Sequence, residues 1–466
     1  MARVKSLWHF QAMATTERPA NVGILAMEWY APQTYVAQTS LEEQDGCGGK
    51  YVVGLGQEAM AFVDDREDIG SVLLTACRRL LTGFGVAPAD VGRLEVGTET
   101  LVDKSKSVKT TLLQLFGDHR DVEGVSSVNA CYGGTAALLN ACAWVESSAW
   151  DGKYAVVVCG DIAVYEPGPA RPSGGCGAVA LLVGPGAPLA LEPARATHAM
   201  DVWDFYKPHH SEFAAVDGKL SQACYLRSVD GCWAGLKRKA PAATTLDAFD
   251  HCVFHAPYNK RVQKGFARLA LGDDVLAGRR ADPPAADWCA AGAAPYEDSL
   301  ADRSLDAALR KASAGAYDAK VAPATLIPKQ IGNTYTASVF AGLLSLVADR
   351  GDALAGKRVL LFSYGSGSVA TMYAFKGREA DDAKFALGET RRVADVPARL
   401  AARAPCSAAH FARACDVRVE RYGKPGYAPT GAAETDGAAP VPLAADAFAL
   451  AAVDDKHIRS YVAPAN

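Results

Sequence analysis

The sequence lacks the signatures of several common protein classes. No two of its 12 cysteines stand at C-x-x-C spacing, so zinc ribbons and dithiol redox sites have no support. No G-x-x-x-x-G-K-[ST] loop occurs, and the glycines at 365 and 367 are too few for a dinucleotide fingerprint. No apolar run approaches the ~18 residues of a membrane-spanning helix. ATP, NAD and membrane insertion are therefore not expected.

The chain also lacks a large excess of either charge. Its 48 Lys and Arg residues nearly balance 52 Asp and Glu residues, for a net charge of −4. Broad binding to nucleic acid or to an anionic membrane is therefore not expected. Half of the residues are hydrophobic (50%), enough for a large core. At about 150 residues per domain, the length alone would predict three domains.

The first twenty residues carry no clear structural signal. They contain Arg3 and Lys5 before the first acidic residue, Glu17. This pattern is typical of an unstructured leader, with a weak organelle presequence as the alternative. Because no secretory signal is visible either, we expect an intracellular protein with reduced cysteines, cytoplasmic or, alternatively, mitochondrial.

Short apolar runs alternate with segments of helical periodicity along the chain. A helix is predicted over residues 68–84, where Asp68 can cap the first turn. The same rhythm restarts after about residue 195, which predicts two α/β halves with parallel strands. The other predicted helices cover residues 107–116, 134–147, 260–271 and 336–348. The predicted strands cover residues 21–28, 93–97, 127–130, 154–159, 178–183, 251–254 and 358–363. Segments 277–298 and 425–445, rich in Ala, Gly and Pro, are predicted to be surface insertions.

Cys131 differs from the other cysteines in its setting. It lies in NACYGGTAA, between a predicted strand and an Ala-rich helix. The N–H groups at a helix N-terminus favour a thiolate and can hold an oxyanion. Gly133 and Gly134 would let a substrate approach the backbone. Cys131 is thus either a nucleophile or a packing residue at a tight junction.

Two further reactive side chains follow predicted strands. Glu99 stands in VGTET and His255 in FHAPY, and open α/β sheets bind ligands at the carboxyl ends of strands. Each has an ordinary alternative as a structural or surface residue. Lys260 and Lys264 lie four residues apart on one predicted helix, where they form either a solvated face or a phosphate site.

These segments together resemble the eukaryotic type of 3-hydroxy-3-methylglutaryl-CoA (HMG-CoA) synthase. The likeness runs from residue 21 to residue 464. Beside NACYGGTAA, GTET and FHAPY, the matching stretches are GLGQ (54–57), DKSKSVK (103–109), GDIAVY (160–165), DFYKP (204–208), VDGKLS (216–221), IGNTYT (331–336) and FSYGSG (362–367).

The resemblance implies a thiolase-like fold, a layered α-β-α-β-α sandwich built from two related halves, in place of three domains. We place the halves at residues 20–193 and 194–466. It also implies condensation of acetyl-CoA with acetoacetyl-CoA and water to give HMG-CoA and CoA, at the entry to mevalonate, isoprenoids and sterols. A homodimer is expected, with CoA thioesters as substrates, no resident cofactor and no metal.

The resemblance also implies roles for individual residues. Cys131 would carry the acetyl group, Glu99 would move protons, and His255 would polarise the acetoacetyl carbonyl. The N–H of Cys131 and one from the turn at 365–367 would hold the enolate. Substrate and CoA contacts are expected at Lys50, Ser173, Asp204, Phe205, Ser221, Lys260, Lys264, Asn333 and Ser366. Supporting positions are Asp161 and Tyr132.

The sequence departs from the family pattern at three places near the expected CoA site. Pro169 replaces a common Asn, Ser173 replaces a common Thr, and the loop at 45–50 is one residue short. The alternatives are another thiolase-fold condensing enzyme of the ketoacyl synthase type, a Cys-dependent thioester hydrolase and a non-catalytic CoA-binding homologue. The GTET segment argues against the first, a hydrolase has no use for an acid/base directed at a methyl group, and the intact set of Cys131, Glu99 and His255 argues against the third.

Overall fold

The computed structural model describes residues 18–208, 211–279, 294–431 and 440–464. The strands are β1 Gly23–Tyr30, β2 Thr34–Ala37, β3 Ala59–Ala61, β4 Val91–Gly97, β5 Ser126–Ser127, β6 Tyr154–Ala163, β7 Gly175–Gly184, β8 Leu189–Ala199, β9 Phe205–Tyr206, β10 Ala215–Val216, β11 His251–Phe254, β12 Arg358–Gly365, β13 Val369–Gly377, β14 Ala404–Cys406, β15 Ala449–Val453 and β16 Arg459–Val462. The helices are α1 Gln38–Gln44, α2 Ile69–Gly83, α3 Lys109–Leu112, α4 Gly133–Val145, α5 Gly218–Lys239, α6 Asn259–Leu276, α7 Ala294–Ala301, α8 Arg303–Ala312, α9 Ala314–Lys320, α10 Leu326–Ile331, α11 Ser338–Arg350, α12 Leu387–Ala394, α13 Val396–Ala401 and α14 Ala408–Arg421.

The main sheet repeats one strand pattern twice. Its order is β11-β12-β13-β8-β1-β7-β6-β4-β5. In the first half β4 and β6 are parallel, and β7 runs antiparallel to both β6 and β1. In the second half β11 and β12 are parallel, and β13 runs antiparallel to both β12 and β8. The expectation of parallel strands was therefore only partly correct, because the last strand of each half reverses direction.

The two halves meet around a shared layer of helices. Along β6, Val156 belongs to the core cluster that contains α2, whereas Val157 packs with α4 and α11. Along β12, Leu361 packs with α4 and α11, whereas Leu360 packs with α5 and α6. Both faces of both halves are thus buried, which explains why these strands read as continuous apolar runs. The predicted five-layer sandwich is confirmed.

Most of the predicted helices and strands are present, but their first and last residues differ from the predicted ones. Asp68 caps α2 as expected, since its carboxylate accepts a hydrogen bond from the N–H of Ser71 at 3.0 Å. The predicted helix at 107–116 is only one turn of α-helix followed by a 3-10 turn. The predicted strand at 127–130 is reduced to β5, because the chain leaves the sheet early to form the bend at Cys131.

Parts of the predicted insertions lie outside the described residues, namely 280–293 and 432–439. The first insertion also includes the start of α7. The division between residues 193 and 194 remains a prediction, and it falls within β8. In the described part of the chain, no helix has the length and apolarity needed to cross a membrane.

Candidate active site

Cys131 occupies a sharp bend between β5 and α4. Its φ of 54° lies in the left-handed region, which non-glycine residues seldom adopt. The helix then begins at Gly133, and no side chain caps its first turn. The buried Cys131 side chain packs with Ala163, the last residue of β6, and with Tyr165 and Tyr335.

Glycines bring the neighbouring segments close to this bend. A Cβ on Gly97 would lie 2.5 Å from Gly134, and a Cβ on Gly134 would lie 2.3 Å from the carbonyl oxygen of Thr336. The end of β4, the start of α4 and the loop before α11 therefore converge. Gly133 also packs against the protein's own backbone, since a Cβ there would lie 2.6 Å from the carbonyl oxygen of Ser127, and the approach of a substrate to these glycines stays a prediction.

Glu99 and Cys131 are direct neighbours. The N–H of Cys131 donates a hydrogen bond to Glu99 Oε2 at 2.6 Å. Burial raises the pKa of Glu99 to about 7, against the opposing charge of Lys207. Burial, followed by the charges of Glu99 and Asp161, raises the pKa of the Cys131 thiol. Burial and the adjacent carboxylates thus act against the thiolate that a helix N-terminus would favour.

Asp161, fully buried near the end of β6, holds the Glu99 segment in place. Its Oδ1 accepts hydrogen bonds from the Glu99 N–H at 2.8 Å and from the N–H and hydroxyl of Thr100 at 2.9 and 2.8 Å. The Thr98 hydroxyl also donates to Oδ1 at 2.8 Å. Its Oδ2 accepts from the N–H and hydroxyl of Thr336, at 3.0 and 2.6 Å. One carboxylate thus joins the segments after β4 and before α11.

Asp204 organises the glycine turn after β12. Its Oδ2 accepts from the hydroxyls of Tyr364 at 3.0 Å and Ser366 at 2.9 Å, and its Oδ1 accepts from the Gly367 N–H at 3.2 Å. Gly365 presses on the bend itself, since a Cβ there would lie 1.7 Å from the carbonyl oxygen of Ala130. The second half therefore supplies one wall of the Cys131 site.

Tyr132 also joins the bend to the second half. Its hydroxyl lies 2.7 Å from the hydroxyl of Thr371 in β13, which is in turn 3.0 Å from that of Thr197 in β8. This chain of hydroxyls fixes the residue next to Cys131 against the second half of the sheet.

His255 follows β11 and is only 1% exposed. The backbone N–H of His255 donates a hydrogen bond to the backbone carbonyl of Phe362 at 2.8 Å, which places this residue beside β12. Its ring Nδ1 is buried and has no hydrogen-bond partner within the described residues. Burial, with the charge of Arg261, lowers the pKa of His255 to about 3. The imidazole is therefore neutral, and within the described part no hydrogen bond joins it to Glu99 or Cys131.

An aromatic wall lines the bend. Cys131 clusters with Ala163, Tyr165 and Tyr335, and Phe205 packs against the cluster with its ring 5.7 Å from that of Tyr335. We call these five residues the Cys131 cluster. Asn333 supports it, because its side-chain oxygen accepts from the Tyr335 N–H at 2.9 Å.

Sequence reasoning selected neither Tyr165 nor Tyr335, nor Lys207, whose ammonium lies 4.9 Å from the centre of the Tyr335 ring. All three belong to matching stretches, but nothing in those stretches showed that they converge on Cys131. The hydroxyl of Ser173, a predicted substrate contact, donates a hydrogen bond to the Ala170 carbonyl at 2.6 Å.

The predicted CoA contacts lie along one route of loop and helix. Lys50 is exposed in the short loop after α1, and the Leu55 carbonyl of the following segment accepts from the Lys260 N–H at 2.8 Å. The Lys264 ammonium forms an ion pair with Asp306 Oδ2 at 3.7 Å and donates a hydrogen bond to Gln222 Oε1 at 3.1 Å. Ser221 lies in the first turns of α5, where its N–H donates to the Asp217 carbonyl. The loop at 45–50 is organised by Glu42, whose carboxylate accepts from the N–H groups of Gly49 and Tyr51.

Comparison with known protein families identifies the family of this chain. The family model described as "Hydroxymethylglutaryl-coenzyme A synthase N terminal" matches residues 18–188, and the corresponding C-terminal model matches residues 189–463. The chain belongs to the hydroxymethylglutaryl-CoA synthase family. Within the described residues, no cluster of three or more His, Cys, Asp and Glu side chains could hold a metal ion.

Similar proteins in this family are spread across eukaryotes. Hydroxymethylglutaryl-CoA synthase A of Dictyostelium discoideum is 45% identical over 95% of this chain and 91% of its own length. The human mitochondrial hydroxymethylglutaryl-CoA synthase is 44% identical over 95% of this chain and 89% of its own. A solved structure of MvaS in complex with 3-hydroxy-3-methylglutaryl coenzyme A superposes with a TM-score of 0.80 at 33% identity, covering 97% of this chain and all of that one (100%).

Proposed function

We propose that this chain is an HMG-CoA synthase, an acyltransferase that joins acetyl-CoA and acetoacetyl-CoA with water to give HMG-CoA and CoA. The observation that carries the proposal is the contact between Glu99 and Cys131 at the bend before α4. A nucleophile beside a carboxylate of raised pKa suits acyl transfer followed by proton abstraction. Family membership supports the same reaction.

The first step is acetylation of Cys131. Its sulfur bonds to the acetyl carbon, the bond from that carbon to the CoA sulfur breaks, and the thiol proton leaves with CoA. The raised pKa of the Cys131 thiol keeps it protonated at rest. The proton must therefore move to the departing CoA sulfur as the new bond forms.

Glu99 then removes a proton from the acetyl methyl group. A pKa of about 7 makes this carboxylate a stronger base than an exposed one, yet still able to return the proton at neutral pH. The enolate oxygen needs donors, and the Cys131 N–H is occupied by Glu99 at rest. We infer that this N–H donates to the acetyl oxygen once the Glu99 carboxylate has moved to the methyl group. An N–H from the loop at 365–367 would be the second donor.

The second half binds the other substrate. The neutral His255 imidazole donates an N–H to the ketone of acetoacetyl-CoA, which the enolate carbon attacks. Glu99 returns its proton to the new alkoxide, and water then cleaves the thioester at Cys131. In this scheme Asp161, Asp204 and Tyr132 orient the site, and no resident cofactor is required.

The remaining predicted residues form the walls for the acyl groups and the pantetheine arm. We assign that role to Phe205 in the Cys131 cluster, Asn333 beside Tyr335, and Ser366 in the Asp204 turn. Ser173 and Ser221 are assigned to the same path.

Cationic side chains gather where the CoA phosphates would lie. Lys260 and Lys264 of α6 face α8, where Arg310 and Lys311 line a surface cavity of about 310 Å³. With Lys50 from the loop after α1, they offer several positive charges in a chain of nearly balanced total charge.

We further propose a homodimer in the cytoplasm that serves isoprenoid and sterol synthesis. β5 lies at one end of the sheet, and the exposed Val125 and Val128 flank it as an apolar edge for a second copy. Mitochondria are the alternative, since relatives in this family are named for both compartments. Binding to nucleic acid or to membranes is not part of the proposal.

The test is release of CoA from acetyl-CoA with and without acetoacetyl-CoA, together with chromatography of the product. We expect strong stimulation by acetoacetyl-CoA and formation of HMG-CoA. A thioester hydrolase would release CoA from acetyl-CoA alone at the same rate, and a ketoacyl synthase would form a ketone without HMG-CoA. Either result would reject the proposal.

A further inference from the structure

Lys207 is a half-buried lysine beside the Cys131 cluster. It follows β9, in which the side chains of Phe205 and Tyr206 point to opposite faces. Phe205 packs against the cluster, Tyr206 is exposed, and the Lys207 ammonium lies 4.9 Å from the ring centre of the buried Tyr335. Lys207 therefore points to the same side as Phe205, towards the cluster.

Lys207 has no acidic partner within the described residues, where neither an ion pair nor a hydrogen bond involves its ammonium. Its charge nevertheless acts on both reactive groups, because it opposes the rise in the pKa of Glu99 and in that of Cys131 that burial causes. The ammonium thus lies over the ring of Tyr335, which packs with Cys131, and its hydrogen-bonding capacity is unused within the described residues.

The proposed reaction creates a negative charge at this place. Neither acetyl-CoA nor acetoacetyl-CoA has a carboxylate in its acyl group, whereas HMG-CoA has one, formed from the carbon bonded to Cys131. Water adds to that carbon, the carbon–sulfur bond breaks, and the sulfur keeps the electron pair and takes a proton. The resulting carboxylic acid loses its proton, which leaves a carboxylate beside Glu99.

Two adjacent carboxylates in a buried site repel each other unless a cation lies between or beside them. His255 cannot serve, because its lowered pKa keeps it neutral. Lys260 and Lys264 cannot serve either, because their charged neighbours are side chains of α8 and they are assigned to the CoA phosphates. Lys207 is the cation placed to act on this pair.

We propose that Lys207 binds the carboxylate that thioester hydrolysis creates at Cys131, and thereby recognises HMG-CoA as product. This role rests on the proposed function. The remaining binding surface, which holds CoA and the branched carbon, is independent of Lys207. Loss of the Lys207 ammonium should therefore weaken the binding only of ligands that carry the carboxylate.

A matched pair of ligands isolates this interaction. HMG-CoA and 3-hydroxy-3-methylbutyryl-CoA differ only by the carboxylate. We expect calorimetric titration of the wild-type protein to show about 10- to 100-fold tighter binding of HMG-CoA, as for a charged hydrogen bond. Lys207→Met should bind the two ligands within about twofold of each other, and Lys207→Arg should keep most of the preference. Lys376→Met, at the opposite end of β13 from the site, is the charge-matched control and should behave as wild type.

Two results would overturn the inference. One is a wild-type protein that binds both ligands equally, which needs no variant to fold. The other is a Lys207→Met variant that keeps the full preference for HMG-CoA. Turnover of the wild-type protein separates this inference from the proposed function. If the wild type makes HMG-CoA while Lys207→Met keeps the preference, only the role of Lys207 is wrong. If the wild type makes no HMG-CoA, the function itself is wrong.

Discussion

In the first half, the chain beyond β4 and around the end of β6 carries the carboxylates of Glu99 and Asp161, with the Cys131 thiol close by. In the second half, the chain beyond β11 and β12 carries a neutral imidazole and a glycine turn. The strand order is the same, so the fold alone does not decide which chemistry stands at a strand end. In the proposed reaction, the first half handles protons and the acyl group, and the second half offers hydrogen-bond donors to carbonyl oxygens.

Burial shifts the pKa values of Glu99 and His255 in opposite directions, and both shifts favour the neutral form. It raises the pKa of Glu99 to about 7 and lowers that of His255 to about 3. In each case burial disfavours the charged form. An acid thereby becomes a usable base near neutral pH, while a base becomes a fixed neutral donor.

The largest effect is expected from the first half. Cys131→Ser should reduce HMG-CoA formation by at least about 10³-fold, because a serine hydroxyl in this site is a far weaker nucleophile. Cys406→Ser, in β14, is the control and should turn over normally. Labelled acetyl-CoA provides the measurement, and acetyl-enzyme accumulating on the serine variant would show that another residue is the nucleophile.

Asp161→Asn should give the next largest effect. An amide cannot accept at both ends, so donors from Thr336 or from the Glu99 segment lose their partner. We expect the free energy of unfolding to fall by about 2–4 kcal/mol and kcat to fall by about 10²-fold, as Glu99 is misplaced. Chemical denaturation and steady-state kinetics measure these, with the exposed Asp201→Asn as control. An unchanged kcat would show that the Glu99 segment holds its position without Asp161.

The pH dependence separates Glu99 from His255. The rate at which preformed acetyl-enzyme condenses should rise with pH through about 7, because only the ionised Glu99 can take the methyl proton. His255 stays neutral above about 3 and should add no further limb near neutral pH. The slower His255→Asn variant should keep the same limb in single-turnover measurements, and its disappearance would assign the titration to His255.

The smallest effect is expected from a partly exposed lysine on the CoA route. Lys260→Ala should raise the KM for both CoA thioesters by about threefold with little change in kcat, since a partly exposed charge is screened by solvent. Lys384→Ala, on a distant exposed turn, is the control. An unchanged KM would remove Lys260 from the proposed phosphate site.

Local sequence patterns predicted much of this arrangement. Apolar runs located the strands, Asp68 marked the start of α2, and the strand-end rule selected Glu99 and His255. The rise in the pKa of Cys131 could not be predicted, because it depends first on burial and then on Glu99 and Asp161, which are distant in sequence and adjacent in space. The same reason hid Lys207 and Tyr335, which are distant in sequence and contact each other only in the folded chain.

The division of labour between the halves is tested most directly by mass spectrometry of Glu99→Gln after incubation with acetyl-CoA. We predict an acetyl group on the peptide that contains Cys131, and its persistence when acetoacetyl-CoA is added. The wild type and Glu146→Gln, an exposed control at the end of α4, should lose the acetyl group as HMG-CoA forms. Discharge of acetylated Glu99→Gln by acetoacetyl-CoA at the wild-type rate would contradict the account.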